Sequence, residues 1–172
     1  LLATWYVVSD REILSTRLLP GPGTVATALV DFFAGDRNDT LAGGSGADVM
    51  LGGLGDDSYE VDDPGDVVVE FAAEGNDTVR NQLDFALPEH VERLVALGAG
   101  HLQLTGNALD NDLLGNSGNN LLTGGTGRDY LVGGGGNDVY VFNLGDGQDT
   151  ITNTDLLRDT ANAALPGGFD LL

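Results

Sequence analysis

Residues 43–60 read G-G-S-G-A-D-V-M-L-G-G-L-G-D-D-S-Y-E, which are two consecutive copies of the nonapeptide G-G-x-G-x-D-x-U-x, where U is a large apolar residue. Two further perfect copies occupy residues 124–141, as G-G-T-G-R-D-Y-L-V-G-G-G-G-N-D-V-Y-V. Self-similarity at a fixed short period is typical of proteins that stack one structural unit on the next. We therefore expect each nonapeptide to form a turn and a short strand, and two of them to close a coil of eighteen residues.

Degenerate copies in the same phase extend the first pair into a block at residues 34–80. The copies at residues 34–42 and 61–69 lack most of the glycines but keep the aspartate of the motif as Asp39 and Asp66. The block therefore has at least four units in one phase, which indicates a continuous stack of coils.

A second block covers residues 106–151. It begins with two copies in which Asn111 and Asn120 replace the aspartate, and it ends with a displaced copy that contains Asp149. Residues 81–105, between the blocks, contain no nonapeptide. Their apolar residues alternate with polar ones, which is the period of a strand, so we predict β-coils there too. Residues 91–97 also fit a short helix, and we prefer a strand because the flanking coils need a continuous ladder.

The apolar U residues lie two positions after the aspartate or asparagine of each unit. Short strands direct alternate side chains to opposite faces, so these residues are predicted to point into the interior. The predicted inward column contains Leu41, Met50, Tyr59, Val68, Leu113, Leu122, Leu131 and Tyr140.

The period of eighteen predicts which polar residues lie directly above one another. The predicted stacked pairs are Asp39 with Asp57, Asp48 with Asp66, Asn111 with Asp129, and Asn120 with Asp138. Two carboxylates about 5 Å apart repel each other unless a cation lies between them. Calcium takes six to eight oxygen ligands with flexible geometry, which suits such a pair together with the carbonyl groups of glycine turns, whereas magnesium demands a tighter octahedron.

These considerations predict several calcium ions held by the loops. The predicted metal ligands are the side chains at the aspartate position and the second and fourth glycines of the perfect units: Asp39, Gly44, Gly46, Asp48, Gly53, Gly55, Asp57, Asp66, Asn111, Asn120, Gly125, Gly127, Asp129, Gly134, Gly136, Asp138 and Asp149. For Asp149, as for Asp77, the alternative is that the side chain only caps its coil.

The perfect units at residues 43–60 and 124–141 resemble those of the RTX family of secreted bacterial proteins, also called haemolysin-type calcium-binding repeats. The resemblance implies an all-β chain with a right-handed parallel β-roll or β-helix fold. It also implies that the protein is secreted through a type I apparatus and folds outside the cell, where calcium is abundant. Residues 169–172 (F-D-L-L) resemble the C-terminal export signal of this family.

Two segments lie outside the repeats, at residues 1–33 and 152–172. Residues 1–33 are predicted to be a short irregular cap or the remnant of a preceding domain, with a strand at residues 5–8 and a helix at residues 11–19. Residues 152–172 are predicted to be a tail that holds the secretion signal.

The amino-acid composition excludes several classes of binding partner and site. The chain of 172 residues carries a formal charge of −20, with 27 acidic residues against seven arginines and no lysine. Nucleic acids and anionic membrane surfaces need a basic footprint, so neither is an expected partner. No apolar stretch approaches the roughly 20 residues of a transmembrane helix. There is no cysteine, which excludes disulfides and thiolate metal sites.

No catalytic constellation is evident. The chain contains neither H-E-x-x-H nor G-x-S-x-G, and its two histidines, His90 and His101, are predicted to be surface or packing residues. We therefore expect no enzymatic activity in these residues. The alternatives are the C-terminal, non-catalytic part of a secreted peptidase, lipase or alginate epimerase, with contact to a polysaccharide, and a repeat of a cell-surface adhesin.

Overall fold

The computed structural model of the protein describes residues 37–152 and, before them, the backbone at residues 6–8, 13–15 and 27–30. These residues form strands and no helix. The strands are β1 (Tyr6–Val8), β2 (Ile13–Ser15), β3 (Thr27–Val30), β4 (Thr40–Ala42), β5 (Asp48–Leu51), β6 (Ser58–Val61), β7 (Val67–Val69), β8 (Thr78–Asn81), β9 (Phe85–Ala86), β10 (Arg93–Ala96), β11 (Gln103–Thr105), β12 (Asp112–Leu114), β13 (Leu121–Thr123), β14 (Tyr130–Val132), β15 (Val139–Val141) and β16 (Thr150–Thr152). In this part of the chain no helix could cross a membrane.

The strands wind into a parallel β-solenoid of about six turns, which confirms the predicted all-β architecture. One wall, called the continuous wall, is a seven-stranded sheet in the order β16-β14-β12-β10-β8-β6-β4. The opposite wall, called the split wall, consists of two sheets, β3-β5-β7 and β15-β13-β11-β9, with no pairing between β7 and β9. The strand pairs of both walls are parallel.

The strand register follows the predicted period. Residues eighteen apart pair across neighbouring coils, for example Leu41 with Tyr59 and Leu113 with Leu131. Two repeats are displaced by two residues, those of Asp77 and Asp149, and their strands remain in the same sheet. Tyr59 also pairs with Val79 and Leu131 with Ile151, each twenty residues further on. The two additional residues therefore lengthen a loop and leave the wall unchanged.

The interior is the predicted column of apolar side chains. Within the described stack, six of the eight predicted residues have no exposed surface and Val68 is 5% exposed; the six are Leu41, Met50, Tyr59, Leu113, Leu122 and Leu131. Tyr140 is half-buried near the end of the described coils. Val79 at the end of the first block, and Leu94 and Leu104 between the blocks, continue the column, so the core is one stack of mostly branched side chains.

The region between the blocks is built of strands, as preferred above. Arg93–Ala96 forms β10, which pairs with β8 on one side and β12 on the other. The helical alternative at residues 91–97 is therefore wrong, because the backbone groups of this segment are used by the neighbouring coils.

The N-terminal segment differs from its prediction in part. Ile13–Ser15 pairs antiparallel with Tyr6–Val8, so the helix predicted for residues 11–19 is wrong where the structure describes it. Thr27–Val30 pairs parallel with β5 and so belongs to the split wall. The remainder of the predicted cap, and the predicted tail from residue 153 onward, lie outside the described residues.

Candidate metal centre

The loops that connect the walls lie at two edges of the solenoid. At the first edge each loop leads into the continuous wall, and its last residue is one of Asp39, Asp57, Asp77, Glu92, Asn111, Asp129 and Asp149. At the second edge each loop leads into the split wall. Asp66, Asn120 and Asp138 are the last residues of their loops, and Asp48, at the equivalent position of the repeat, is the first residue of β5. The repeat thus aligns acidic and amide side chains in two columns.

Neighbouring members of each column are joined by hydrogen bonds, which we call the inner ladder. The backbone N–H of Asp39 donates to Oδ1 of Asp57 at 2.6 Å, and that of Asn120 donates to Oδ1 of Asp138 at 2.8 Å. The equivalent bonds run from Asp48 to Asp66 at 3.0 Å and from Asn111 to Asp129 at 2.9 Å. The structure therefore brings together all four pairs that the period of eighteen predicts.

The inner ladder also includes residues outside the perfect repeats. Asp77 and Asp149 accept the N–H groups of Asp57 and Asp129 at 2.8 and 3.1 Å, although each lies twenty residues further on. Glu92 accepts the N–H of Asp77 at 2.8 Å. Glu92 is not among the predicted ligands, and the signal that could have identified it is its position immediately before a strand.

A second set of hydrogen bonds, the outer ladder, runs in the opposite direction one residue earlier in each loop. The N–H of Asp56 donates to the side-chain oxygen of Asn38 at 2.9 Å, and the N–H of Arg128 donates to Asp110 at 2.7 Å. His101 belongs to this ladder, because its Nδ1 accepts the N–H of Asn119 at 2.8 Å. The loops that end at Asp57 and Asp129 are therefore bonded both to the coil before them and to the coil after them.

Four carboxylates of the inner ladder have a second oxygen that accepts no hydrogen bond from the described residues. Within the described residues, the Oδ2 atoms of Asp57, Asp77, Asp129 and Asp138 are buried and accept no hydrogen bond. Buried polar atoms are nearly always satisfied in native proteins, so a set of them in equivalent positions indicates a missing ligand. An anionic oxygen of this kind suits a hard cation.

The first glycine of each perfect unit makes room for this oxygen. A Cβ atom at Gly124 would lie 2.1 Å from Oδ2 of Asp129, and one at Gly133 would lie 2.1 Å from Oδ2 of Asp138. This glycine is not among the predicted ligand positions. Its signal was present in the motif, where the first glycine is kept in all four perfect units.

The second and fourth glycines turn the backbone. All eight of those predicted as ligands have positive φ, a conformation that favours glycine: Gly44, Gly46, Gly53, Gly55, Gly125, Gly127, Gly134 and Gly136. The loops are also closely stacked, since a Cβ atom at Gly125 would lie only 2.2 Å from the carbonyl oxygen of Asn107. Carbonyl oxygens of one coil thus lie close to the loop of the next.

Three acids of the first edge, Asp57, Asp77 and Asp129, are destabilised in their charged form. Burial raises the pKa of Asp57, Asp77 and Asp129 from an ordinary value of 3.8 to about 6, although each accepts a backbone N–H that lowers it. Neighbouring charges add to the shift, with Asp39 acting on Asp57 and Asp149 acting on Asp129. A bound cation would remove this penalty for the charged carboxylates.

Three of the predicted ligands are satisfied within the protein. Asp66 accepts the N–H groups of Asp62 and Asp63 at 3.1 Å with its Oδ2 atom. The side-chain amide of Asn111 donates to the carbonyl of Val91 at 3.2 Å, and that of Asn120 donates to Gly118 at 2.9 Å. At the asparagine positions an amide N–H group therefore contacts carbonyl oxygens, as a cation would.

One buried acid of the first edge was missed entirely. Glu70 is 5% exposed, and its carboxylate lies with those of Asp57 and Asp77 in a group whose ligand atoms are all within 4.8 Å of one another. Burial, followed by the charges of Asp77 and Asp57, raises the pKa of Glu70 to about 8. The signal in the sequence was an acid immediately after a strand, where Gly52 stands one coil earlier.

Comparison with known proteins agrees with this geometry. The family model of the RTX calcium-binding nonapeptide repeat, in four copies, matches residues 31–60 and 105–140. A curated relative, the endo-1,3-1,4-beta-glycanase ExsH of Rhizobium meliloti, is 39% identical over 75 residues, which are 43% of this chain and 16% of that protein. No solved structure matches the chain.

Proposed function

We propose that this chain, which carries RTX calcium-binding nonapeptide repeats, is a non-catalytic module that folds when it binds several calcium ions outside the cell. The observation that supports this proposal best is a set of buried carboxylate oxygens in the two columns that accept no hydrogen bond from the described residues, those of Asp57, Asp77, Asp129 and Asp138. Asp57, Asp129 and Asp138 each lie at a glycine turn, so an ion there would meet carboxylate and carbonyl oxygens together, which is the ligand set that calcium prefers.

The proposed ligands are the carboxylates of the two edges and the carbonyl groups of the glycine turns. Asp129 and Asp138 belong to perfect units and have carboxylates with one oxygen in the ladder and one available. Asp39, Asp48 and Asp149 lie in the same columns. Asp66, Asn111 and Asn120 are proposed to contribute less, since hydrogen bonds within the protein already use their polar groups.

Calcium is proposed to drive folding as well as to occupy the sites. The chain has a formal charge of −20, and folding stacks many of the acids in columns only one coil apart. Its 27 glycines lose much backbone entropy when they are ordered. Because a ligand that binds only the folded state stabilises it by mass action, calcium shifts this balance towards the solenoid.

The proposed location follows from the same dependence. Extracellular calcium modules have affinities of roughly 10⁻⁴–10⁻³ M, so such a chain stays unfolded where calcium is scarce and folds where it is abundant. We propose a secreted protein that leaves the cell unfolded, through a type I secretion apparatus, and folds outside. The acidic, lysine-free composition and the RTX repeats support this proposal.

A second candidate is that the chain is the non-catalytic part of a secreted enzyme that acts on a polysaccharide. The similarity to part of an endo-glycanase favours this candidate over an adhesin. In that case the repeats would assist folding or contact the polysaccharide. Binding of the calcium-loaded chain to β-glucan or alginate, measured by co-sedimentation, would support it, and equal recovery with and without polysaccharide would count against it.

The main experiment is a calcium titration of the full chain followed by circular dichroism, from excess chelator to about 10 mM calcium. We expect a cooperative conversion from coil to β-structure, with a midpoint in the range of extracellular calcium modules. Magnesium at the same concentrations should produce no such conversion, because it demands octahedral geometry and keeps its waters. A chain with the same β-content in chelator and in calcium would overturn the proposal.

A further inference from the structure

The loop at residues 70–77 differs from the glycine turns around it. It contains eight residues between β7 and β8, whereas the loop one coil earlier contains six, residues 52–57, between β5 and β6. Glu70 takes the first position of the loop, which Gly52 holds in the earlier coil. An acidic side chain of this length is therefore placed where the repeat provides only a backbone carbonyl.

The side chain of Glu70 points into the protein. Glu70 is 5% exposed, and its Oε1 atom accepts a hydrogen bond from the hydroxyl group of Tyr59, a core residue with no exposed surface. Oε2 is buried and has no hydrogen-bond partner in the described part of the chain. One oxygen of the Glu70 carboxylate thus accepts a hydrogen bond, and the other accepts none from the described residues.

Two further unsatisfied oxygens lie beside it. The Oδ2 atoms of Asp57 and Asp77 are buried and accept no hydrogen bond from the residues that the structure describes, and the two residues are 2% and 1% exposed. The ligand atoms of Asp57, Glu70 and Asp77 all lie within 4.8 Å of one another. Oxygens on opposite sides of one calcium ion, at about 2.3–2.6 Å each, lie about 5 Å apart, so the spacing fits a single ion.

From this geometry we propose that Asp57, Glu70 and Asp77 form one interior calcium site, in which Glu70 replaces the glycine carbonyls of a regular loop and Tyr59 positions Glu70. The proposal rests on the calcium-binding function above, because the site shares Asp57 and Asp77 with the column of the first edge. It adds a carboxylate ligand at a position where the repeat motif has none.

The second block shows that a long loop does not itself require this arrangement. The loop at residues 142–149 also has eight residues and also ends in an aspartate, Asp149. Phe142, which is 38% exposed, stands where Glu70 stands in the first block. Leu131 stands where Tyr59 stands. The first block therefore has a tyrosine and a glutamate at these two positions, and the second block has neither residue there.

The test compares two variants of the full chain that each remove one negative charge. Glu70→Gln keeps the size of the side chain and its hydrogen bond from Tyr59, and Glu60→Gln changes an exposed residue of β6. We measure the number of bound calcium ions by equilibrium dialysis. We expect Glu70→Gln to bind one ion fewer, or that ion at least about tenfold more weakly, and Glu60→Gln to match the original chain.

The outcomes separate this proposal from the general function. If Glu70→Gln binds as many ions as Glu60→Gln with the same affinities, Glu70 is a protonated structural residue and the interior site is wrong. If the original chain binds no calcium, the proposed function itself fails, and the result for Glu70 is not needed to show it.

A second variant covers the case in which Glu70→Gln does not fold in calcium. Tyr59→Phe retains all three carboxylates and removes only the hydroxyl group that positions Glu70. With terbium as the probe, excitation of a tyrosine near the ion produces terbium emission. We expect Tyr59→Phe to lose a distinct share of that emission and to bind this ion about tenfold more weakly. Unchanged emission and affinity would contradict the site.

Discussion

The backbone N–H of Asn111 donates to Oδ1 of Asp129 at 2.9 Å, so two residues eighteen apart in the chain lie one directly above the other. The other oxygen of Asp129 is buried without a partner in the described residues. One carboxylate thus has a structural oxygen and a candidate ligand oxygen. Removing its charge while retaining an acceptor should separate the two roles.

We expect Asp129→Asn to raise the calcium concentration at the folding midpoint by about tenfold, because a neutral amide is a weaker calcium ligand. Asp110→Asn is the matched control, since Asp110 is exposed and belongs to the outer ladder. Its midpoint should change much less. Equal shifts in the two variants, measured by circular dichroism, would show that only net charge matters.

The first glycine of a perfect unit should tolerate no side chain. We expect Gly133→Ala to weaken calcium-dependent folding strongly, because its Cβ atom would lie 2.1 Å from Oδ2 of Asp138 and 2.6 Å from the hydroxyl oxygen of Tyr140. Gly135→Ala, in the same unit, would have no neighbour closer than 3.6 Å and should fold almost normally. A calcium titration of both variants tests this difference, and similar behaviour would refute it.

Without metal, acid should partly replace calcium. The pKa values of Asp57 and Asp77 are raised in the fold to about 6 and that of Glu70 to about 8, above their ordinary values of 3.8 and 4.5. Protonation therefore favours the folded state. Its contribution to the free energy of unfolding is complete below about pH 4 and is lost as the pH rises through 6 and then 8.

The measurement for this prediction is circular dichroism in excess chelator between pH 8 and pH 5. We expect β-structure to increase as the pH falls. In saturating calcium the dependence should be weaker, since the cation replaces the protons. A chain in chelator that is most ordered at pH 8 would contradict the pKa directions.

Ala73 offers a stabilising change. Its φ is 65°, in the left-handed region where a Cβ atom is unfavourable. We expect Ala73→Gly to raise the free energy of unfolding in calcium by about 1 kcal/mol. Ala72→Gly, at the neighbouring exposed position, gains no such relief and should be neutral or destabilising. Urea unfolding of both variants in calcium makes the comparison.

The core column should show the usual cost of a cavity. Leu113 has no exposed surface, so we expect Leu113→Ala to lower the free energy of unfolding in calcium by about 2–5 kcal/mol. Leu144 is fully exposed, and Leu144→Ala should leave the free energy of unfolding nearly unchanged. A loss of less than about 1 kcal/mol for Leu113→Ala would indicate that the column is not tightly packed.

Much of the fold could be predicted because the period does two things at once. A residue such as Leu131 is fixed two positions after Asp129, so one register determines both the buried column and the stacked acids. The strand at Arg93–Ala96 could be predicted only from its neighbours, because its own pattern also fits a helix. Its pairing with β8 and β12 on either side makes this segment a strand.

The details of the candidate sites could not be predicted in the same way. Asn111 and Asp66 occupy the ligand position of the motif, but their polar groups are satisfied by bonds within the protein that only the coordinates show. Glu70 lies outside the motif, and its direction depends on the hydroxyl group of Tyr59. Motif position predicts where a side chain stands, and its partners depend on the chain around it.

Between β7 and β9 the strand pairing of the split wall is interrupted, so among the described strands only the continuous wall continues from the first coils to the later ones. In a stacked repeat protein, the free energy of a boundary between ordered and molten units depends on the pairings lost there. A boundary at this junction interrupts strand pairing in one wall only, whereas a boundary elsewhere in the stack interrupts it in both walls. A chain with calcium in only one block should therefore melt up to this junction and stop, so that thermal unfolding at limiting calcium divides into two transitions.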